Sequence, residues 1–446
     1  MTRLVAAATL ALVVVAQPAR AQGILRDAET EAMFQDMTAP LAEAAGLGPR
    51  AVRVVLVNDP SINAFVVGGQ AIYIHSGLIQ AADDANQVQG VIAHELGHIA
   101  DGHVILADRG SKPAMGIYLL SMVLGLATMA AGGGEAGAGI LAAGQQAAMG
   151  SFLSFSRVQE STADASGARY LQTAGISGKG MIGFFRKLQK QEYRYAGEID
   201  PYMQTHPLSG DRVQHLTADL QASPSWNKPS APALEERFKR VKAKLQGYVM
   251  EPNRTLSSFP EYDTSIYAHY ARAYAYHKAG FPEKADAESG ALIAQAPGDP
   301  YFQEIRGQIL LEAGKPVAAL RPLRAATEGS RNNPLIATTL GHALTATEDK
   351  ANLPEAIRVL RTAVARDDQN PFAWYQLGTA YERSGDTARA ALATAERASM
   401  AGDPRTAAVS ARYGMAVIPA NTSDWIRAQD IALTSQNELD DKKKRR

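Results

Sequence analysis

The five residues His94-Glu95-Leu96-Gly97-His98 carry side chains that can bind a metal ion and use it for chemistry. On an α-helix, two histidines four positions apart lie about 40° apart around the axis and one turn apart along it, so both imidazoles can reach one metal. Glu95 lies about 100° from His94, where its carboxylate can flank the metal without ligating it. This position suits a general base that takes a proton from water. The pattern therefore predicts a metal-dependent hydrolase.

A catalytic zinc site needs a third protein ligand beside an open position, and two residues are candidates. We reject His103, because on a continuous helix it would point about 180° from His94 and about 140° from His98. Glu160 is the better candidate, since it lies in a predicted helix four positions before Asp164. Asp164 would then accept a hydrogen bond from a ligating histidine and hold its ring in the required tautomer. The alternative is a solvated helix with acidic residues on one face.

The composition excludes several classes of protein and of site. The chain has 446 residues, with 45 basic and 45 acidic side chains, so no global field favours nucleic acid or an anionic membrane. The length allows two or three domains, each large enough to have a core. The chain has no cysteine, which excludes disulfides, a thiolate nucleophile and a cysteine-ligated zinc.

Residues 1–21 have the pattern of a secretory signal peptide. Arg3 precedes an apolar stretch from Leu4 to Ala16, and Ala19-Arg20-Ala21 fits the rule that small residues flank the cleavage site. We therefore expect cleavage after Ala21 and a soluble protein in the bacterial periplasm.

Strands are predicted before the metal-binding helix. Val52 to Val57 is rich in β-branched residues, and Ala64 to Val67 and Ala71 to Ile74 flank Gly68-Gly69, which is typical of a hairpin. An edge strand here could pair with the backbone of an extended peptide, and such pairing tolerates many sequences. A purely structural hairpin is the alternative.

The segment from Pro113 to Phe155 is unusually apolar. Gly116 to Ala131 contains only apolar or small residues, and Gly132-Gly133-Gly134 follows. The run is short for a membrane span, which needs about 20 residues. Two hypotheses remain for this segment: a mobile or membrane-touching lid beside the active site, or a buried helical hairpin in the core.

Helical repeats are predicted for the second half of the chain, after a proline-containing linker and a charged, exposed helix at 235–246. From about Tyr262, prolines recur with a spacing close to 34 residues, and Trp374-x-x-Leu377-Gly378-x-x-Tyr381 matches the tetratricopeptide signature. We predict four helix pairs, at 263–297, 300–330, 334–369 and 371–403. Such an array needs a closing helix, and four residues could supply its apolar side chains: Met415, Val417, Trp425 and Ile426.

The predicted fold class is mainly α: a zincin-like α+β metallopeptidase domain with a small β-sheet, followed by an α-solenoid of tetratricopeptide repeats. The predicted order is a signal peptide (1–21), the zinc metallopeptidase domain (22–222), a linker with a connecting helix (223–261), the repeat domain (262–436) and a charged tail (437–446).

The segment from His94 to His98, followed by the segment from Ser156 to Asp164, resembles the HtpX/CAAX-prenyl-protease-type zinc metallopeptidase family. Asn63 to Phe65 and Gly68 to Leu78 are similar to the strand segment that this family places before its zinc helix. The resemblance covers roughly Leu41 to Leu216, and it implies one Zn²⁺ per chain.

The resemblance also implies roles for residues outside the two ligand helices. His206 precedes a proline, so it belongs to a loop or an extended turn, and it would be a removable fourth zinc ligand that inhibits the site. An exposed loop histidine is the alternative. Arg212 would bind substrate or stabilise the oxyanion. The substrate backbone would lie along five residues: Asn63, Gly69, Gln70, Ala71 and Ile72.

Together these patterns predict a periplasmic zinc endopeptidase, and the resemblance implies that it acts on misfolded or stalled outer-membrane proteins. The repeats would bind these clients or the outer-membrane β-barrel assembly machinery, and 113–155 could contact a membrane. The main alternative is a repeat-containing chaperone or adaptor with a latent, self-inhibited protease site. An exopeptidase is a third alternative, but the sequence supplies no obvious pocket for a terminal amine or carboxylate.

Overall fold

The computed structural model describes residues 23–130, 134–194, 206 and 210–444. The predicted signal peptide and the last two residues of the charged tail lie outside the described residues. Within them, helices surround a small β-sheet near the N-terminus and then continue as a stack of helix pairs.

The sheet of the N-terminal domain has the order β1-β2-β4-β3, so β3 forms one edge. β2 and β4 are parallel, and the other two pairs are antiparallel. The predicted strands and the hairpin around Gly68-Gly69 are confirmed. The strands are β1 (Ile24–Leu25), β2 (Arg53–Val57), β3 (Ala64–Val66) and β4 (Ala71–His75).

Seven helices accompany this sheet among the described residues up to 222. They are α1 (Ala28–Ala44), α2 (Ser76–Ala81), α3 (Ala85–Ala100), α4 (His103–Ala130), α5 (Gly134–Thr173), α6 (Lys179–Arg194) and α7 (Gly210–Gln221).

The metal-binding pattern lies on α3, at the centre of this domain. The Asp84 side chain caps the helix by accepting a hydrogen bond from the backbone N–H of Gln87. Val88, Ile92 and Leu96 are fully buried in the core. Apolar packing on several sides therefore holds the histidine-bearing helix rigidly.

The helix does not continue to His103, as the sequence analysis assumed. α3 ends at Ala100, and Asp101 and Gly102 form a turn in which Gly102 has a φ of 70°. A positive φ suits glycine, which has no Cβ to clash with the backbone. His103 is therefore the first residue of a new helix with a different direction.

α4 and α5 form a long helical hairpin between the second histidine and Glu160. Within the described residues, Lys112–Met129 is the one helical stretch long and apolar enough to cross a membrane. Only 6% of that stretch is buried, so the alternative of a buried core hairpin is wrong.

The predicted connecting helix is α8 (Pro232–Val249), and it is not simply exposed. Phe238, Val241 and Leu245 are buried in the core of the N-terminal domain. The same helix packs against the first helix of the repeats. α8 therefore joins the two parts of the chain through its packing as well as through its sequence.

The four helix pairs of the repeats are confirmed, and a short helix, α9 (Pro252–Ser258), precedes them. The extra residues in the third pair form a 3₁₀ turn, Lys350–Asn352. The pairs are α10 (Ile266–Lys278) with α11 (Pro282–Gln295), α12 (Pro300–Glu312) with α13 (Pro316–Gly329), α14 (Pro334–Ala346) with α15 (Leu353–Arg366), and α16 (Pro371–Ser384) with α17 (Thr387–Met400).

Two more helices, α18 (Pro404–Val417) and α19 (Ser423–Lys444), continue the stack. Met415 and Trp425 pack into its last apolar cluster, as expected for the closing element. Val417 and Ile426 instead remain largely exposed, so only half of the expected closing side chains are packed.

A buried group of charges joins α1, α8 and α10. Lys244 forms an ion pair with Asp27, and its Nζ lies 3.6 Å from Oε2 of Glu29. Arg240 lies 2.7 Å from the other oxygen of Glu29, and the Tyr270 hydroxyl donates to Glu29 across 2.8 Å. Burial lowers the pKa of Lys244, but the charge of Asp27 outweighs it, and the pKa lies well above its usual value.

We predict that Lys244→Ala lowers the free energy of unfolding by about 3–5 kcal/mol, because it leaves buried carboxylates without their cation. Lys239→Ala is the matched control on the same helix, since Lys239 is half exposed and lies 3.9 Å from Glu235. Its effect should stay within about 0.5 kcal/mol. Urea denaturation measures both, and equal losses would contradict the importance of the buried cation.

Candidate metal centre

Two glycines allow α3 and α5 to approach until their backbones are in contact. A Cβ at Gly97 would lie 2.6 Å from the carbonyl oxygen of Ala163, and a Cβ at Gly167 would lie 2.9 Å from that of Ala93. Distances below about 3 Å leave no space for a side chain at either position. This close crossing brings the acidic residues of α5 to the histidines of α3.

Four buried side chains converge at the crossing: His94, His98, Glu160 and His206. Nε2 of His94 lies 3.2 Å from Nε2 of His98 and 3.3 Å from Nδ1 of His206. The Glu160 carboxylate lies 3.4 Å from each of the first two nitrogens and 3.1 Å from Nδ1 of His206.

These distances fit a tetrahedral metal site. A metal at about 2.0–2.1 Å from each ligand would separate neighbouring ligand atoms by about 3.3–3.4 Å. The measured separations between the four side chains run from 3.1 to 3.4 Å. Three imidazoles and one carboxylate are a ligand set that Zn²⁺ prefers.

Asp164 lies within hydrogen-bond distance of the ring of His94. Nδ1 of His94 lies 3.0 Å from Oδ1 of Asp164, which leaves Nε2 directed at the other ligands. Nε of Arg212 donates to Oδ2 of Asp164 across 2.8 Å, and the same guanidinium lies 3.2 Å from Glu160. Arg212 therefore binds both carboxylates of the centre.

The carboxylates of the centre are strongly biased toward their charged form. Burial raises the pKa of Glu160, but the charge and hydrogen bond of His206 outweigh it, so the pKa lies far below its usual value. Burial likewise raises the pKa of Asp164, and the contacts with His94 and Arg212 lower it further than burial raises it. The centre therefore offers anionic oxygen to a cation.

The carboxylates beside His94 favour the protonated form of its ring. Burial lowers its pKa, but the hydrogen bonds with Asp164 and Glu160 outweigh burial and raise it to about 10. A metal ion must displace this proton when it binds.

His103 takes a part in the centre that the sequence analysis missed. Its Nδ1 lies 3.0 Å from Nδ1 of His98, and its Nε2 lies 3.0 Å from Oγ1 of Thr162. It is not a ligand, but it fixes the ring of one. Asp101-Gly102 was the available signal, because such a pair commonly ends a helix and changes the direction of the chain.

Glu95 lies beside the ligands and is fully buried. Neither of its carboxylate oxygens has a hydrogen-bond partner among the described residues. Its Oε1 lies 3.5 Å from Nε2 of His206. A buried carboxylate in this state is suited to accept a proton from a molecule that enters the centre.

His206 is buried, with 6% of its surface exposed, which contradicts the alternative of an exposed loop histidine. Its Nδ1 lies with the three other ligand atoms. Its chain neighbours Thr205 and Pro207 lie outside the described residues.

The residues expected to bind the substrate backbone are divided by the sheet. Gly69 and Gln70 lie in the exposed turn between β3 and β4, and Asn63 is buried just before β3. Ala71 pairs with β2, and Ile72 is fully buried and pairs with β2 and β3. Because β4 is an inner strand, Ala71 and Ile72 do not lie on a free edge, and the edge belongs to β3.

The sequence of this domain matches a known family. Residues 28–219 fit the model described as Peptidase family M48. This region is an M48 peptidase domain. The domain is thus a metallopeptidase, and the metallopeptidase family predicted from the two ligand segments is confirmed.

Similar proteins extend the likeness beyond the domain. The β-barrel assembly-enhancing protease of Yersinia pestis is 26% identical over 358 residues, covering 78% of this chain and 71% of the relative. The protein of the same name from Escherichia coli (strain K12) is 29% identical over 303 residues, covering 65% of this chain and 59% of the relative. Metalloprotease LoiP of that strain is 34% identical over 173 residues, which are 38% of this chain and 62% of LoiP.

We predict that His103→Ala weakens zinc binding about 10- to 100-fold, because the ring of His98 loses its outer partner. His215→Ala is the control, since His215 is exposed on α7. Competition with a chromogenic chelator measures both affinities. If the two variants bind zinc as tightly as the wild type, His103 does not orient the ligand.

Proposed function

We propose that this chain is a zinc-dependent endopeptidase of the periplasm that acts on misfolded or stalled outer-membrane proteins. The observation that carries the proposal is the buried carboxylate of Glu95 beside four converging ligand side chains, with no hydrogen bond to its oxygens among the described residues. The names of two relatives, β-barrel assembly-enhancing proteases, support the class of client. The predicted signal peptide supports the location.

In this proposal, His94, His98 and Glu160 hold the metal. When bound, zinc supplies Lewis acidity, which polarises a carbonyl and lowers the pKa of water from about 15.7 toward about 7. Glu95 removes the proton from the attacking water and later passes it to the leaving amine.

Arg212 and Asp164 would position the reacting groups. Asp164 holds the tautomer of His94, and Arg212 holds Asp164 and Glu160 through the contacts of 2.8 and 3.2 Å. The guanidinium also places a positive charge in the cluster, where it would stabilise negative charge on the substrate oxygen.

An extended substrate would pair with the edge strand β3. α3 packs directly against this strand, so a peptide along the edge would run close to the ligands. Backbone pairing is independent of most side chains, which suits a protease of unfolded chains. Asn63 and the turn at Gly69 and Gln70 lie at the two ends of β3 and would help to place the peptide.

The repeats would hold clients or the assembly machinery. A cavity of about 720 Å³ lies between the last helix pair and α19, and it combines apolar and charged side chains. Its lining includes Trp374, Leu377, Tyr381, Arg361 and Arg427. Acidic side chains, among them Asp424 and Glu396, pair with the arginines of this lining, so the groove suits a peptide segment with both apolar and charged residues.

We predict that Glu95→Gln lowers cleavage of casein by about 10²–10⁴-fold, because the general base is lost. Zinc content should stay at one ion per chain, since Glu95 is not a ligand. A chelator should abolish the wild-type activity, and Glu43→Gln, an exposed substitution on α1, should change nothing. A Glu95→Gln variant that cleaves at the wild-type rate would exclude this mechanism.

A latent, self-inhibited centre is the second candidate state, and the position of His206 favours it. Nδ1 of His206 occupies the fourth ligand position, where a substrate or water would have to enter. The chain would then act as an adaptor until this histidine is withdrawn.

We predict that His206→Ala increases casein cleavage about tenfold if the plugged form makes up about nine tenths of the molecules. Initial rates at equal zinc content measure the effect, and His215→Ala should match the wild type. Unchanged or slower cleavage by His206→Ala would argue against a plug.

A further inference from the structure

β1 covers only part of the second edge of the sheet, which lies on the side away from β3. The two residues of β1 pair with Val57 and Leu56 of β2, and the chain then leaves the sheet, because Asp27 caps α1. Among the described residues, no strand pairs with residues 53–55 from this side. The first part of β2 is therefore an open edge.

The open part of the edge presents backbone hydrogen-bonding groups. The backbone N–H of Arg53 donates to the carbonyl of Gln70 across 3.0 Å, so Arg53 faces the side of β4. Successive residues of a strand direct their N–H and C=O groups to opposite sides, so those of Val54 face the open side. No backbone group of the described residues bonds to them there. Such an edge is able to pair with another strand.

A cavity of about 670 Å³ lies along this open edge. One wall is formed by residues 52–56, and the other by the face of α1 that carries Phe34 and Thr38. Gln369 and Pro371 of the repeats add to the lining. The volume falls in the usual range for ligand sites, and the cavity lies where the peptidase domain meets the repeats.

A buried hydroxyl in the lining indicates a polar ligand. Thr38 is 1% exposed, and its Oγ1 has no hydrogen-bond partner among the described residues. Buried hydroxyls nearly always have one. A peptide in the cavity would supply it, because every backbone unit carries an N–H and a C=O group.

The lining of the cavity carries a net positive charge. Its charged side chains are three arginines and one glutamate: Arg26, Arg50, Arg53 and Glu31. Arg26 and Glu31 form an ion pair, and Arg26 also binds Asp367. Arg50 and Arg53 are exposed and form no ion pair with the described part of the chain. Two guanidinium groups without a counter-charge favour a ligand that has carboxylates.

The alternation of β2 specifies the side chains of an added strand. Val54 belongs to the apolar core beneath the sheet, and the Arg53 side chain lies on the opposite face, because side chains alternate along a strand. Residues that face each other on neighbouring strands have their side chains on the same face, with Cβ atoms about 4.5–5.5 Å apart. An added strand would therefore place an apolar residue beside Val54 and a carboxylate beside Arg53.

We propose that the open edge of β2 binds an extended peptide in which apolar and acidic residues alternate. The peptide lies as an added strand in the cavity between β2 and α1. A second copy of the chain is a poorer occupant, because pairing two of these edges would bring the arginines of both copies together, and like charges across a strand pair are destabilising. The site is at the opposite edge of the sheet from β3, so it does not depend on the proposed peptidase activity.

Fluorescence anisotropy with the peptide Val-Glu-Val-Glu-Val-Glu-Val tests the proposal. The peptide is amidated and carries a neutral fluorophore, so its only carboxylates are those of the glutamates. Binding is measured to the Glu95→Gln protein, which should leave the peptide intact. In that background, Arg50→Glu/Arg53→Glu should weaken binding at least about tenfold, because like charges then meet at the edge. The peptide Val-Lys-Val-Lys-Val-Lys-Val should bind the parent protein at least about tenfold more weakly for the same reason.

Arg254→Glu/Arg321→Glu is the matched control, because it makes the same change in net charge at two exposed arginines on α9 and α13. It should bind the glutamate peptide like the parent protein, and equal zinc content shows that both variants are folded. The proposal is wrong if the parent does not bind this peptide or if the two double variants bind it equally. A parent that forms a dimer and does not bind the peptide would assign the edge to a second copy.

Backbone methylation of the peptide tests the pairing itself. In either strand direction, only alternate N–H groups of an added strand face β2. N-methylation of the valines and N-methylation of the glutamates should therefore differ in effect at least about tenfold, because only one set removes hydrogen bonds to the edge. Equal affinities of the two methylated peptides would contradict strand addition.

Discussion

The contact between the backbones of α3 and α5 is the constraint on which the centre depends. Two imidazoles on one helix are brought together by helical spacing alone, but the carboxylates come from a segment about sixty residues further along the chain. Gly97 and Gly167 remove the side chains that would keep the helices apart. Glycine inside a helix weakens it by about 1 kcal/mol relative to alanine, and the apolar packing of α3 offsets this loss.

Most of the correct predictions came from the spacing of residues that are close in the sequence. His94 and His98 are four residues apart, as are Glu160 and Asp164, and helical geometry makes such residues neighbours. The prolines of the repeats mark helix starts, because proline fits the first turn of a helix. The strands around Gly68-Gly69 were predictable for the same reason, since glycine turns and β-branched residues are local signals. The likeness to a known peptidase family then related the two ligand segments to each other.

The wrong predictions concern residues whose neighbours are set by tertiary structure. His103 was placed on a continuous helix, but the turn at Gly102 redirects the chain and returns this ring to the centre. α8 has many charged residues, yet one of its faces fills the core, and Lys244 is neutralised by α1. Ile72 was expected at a free edge, but strand order cannot be read from a single hairpin. Composition reports the average environment of an element and not the neighbour on each of its faces.

One connection in the chain has a mechanical consequence. His103 is both the first residue of α4 and a hydrogen-bond partner of the His98 ring, so this side chain connects the apolar hairpin to the ligand. α4 has 28 residues, so a force on its far end would tilt the whole helix and move its first turn. A change in the angle between the hairpin and the rest of the domain would therefore change the orientation of the His98 ring.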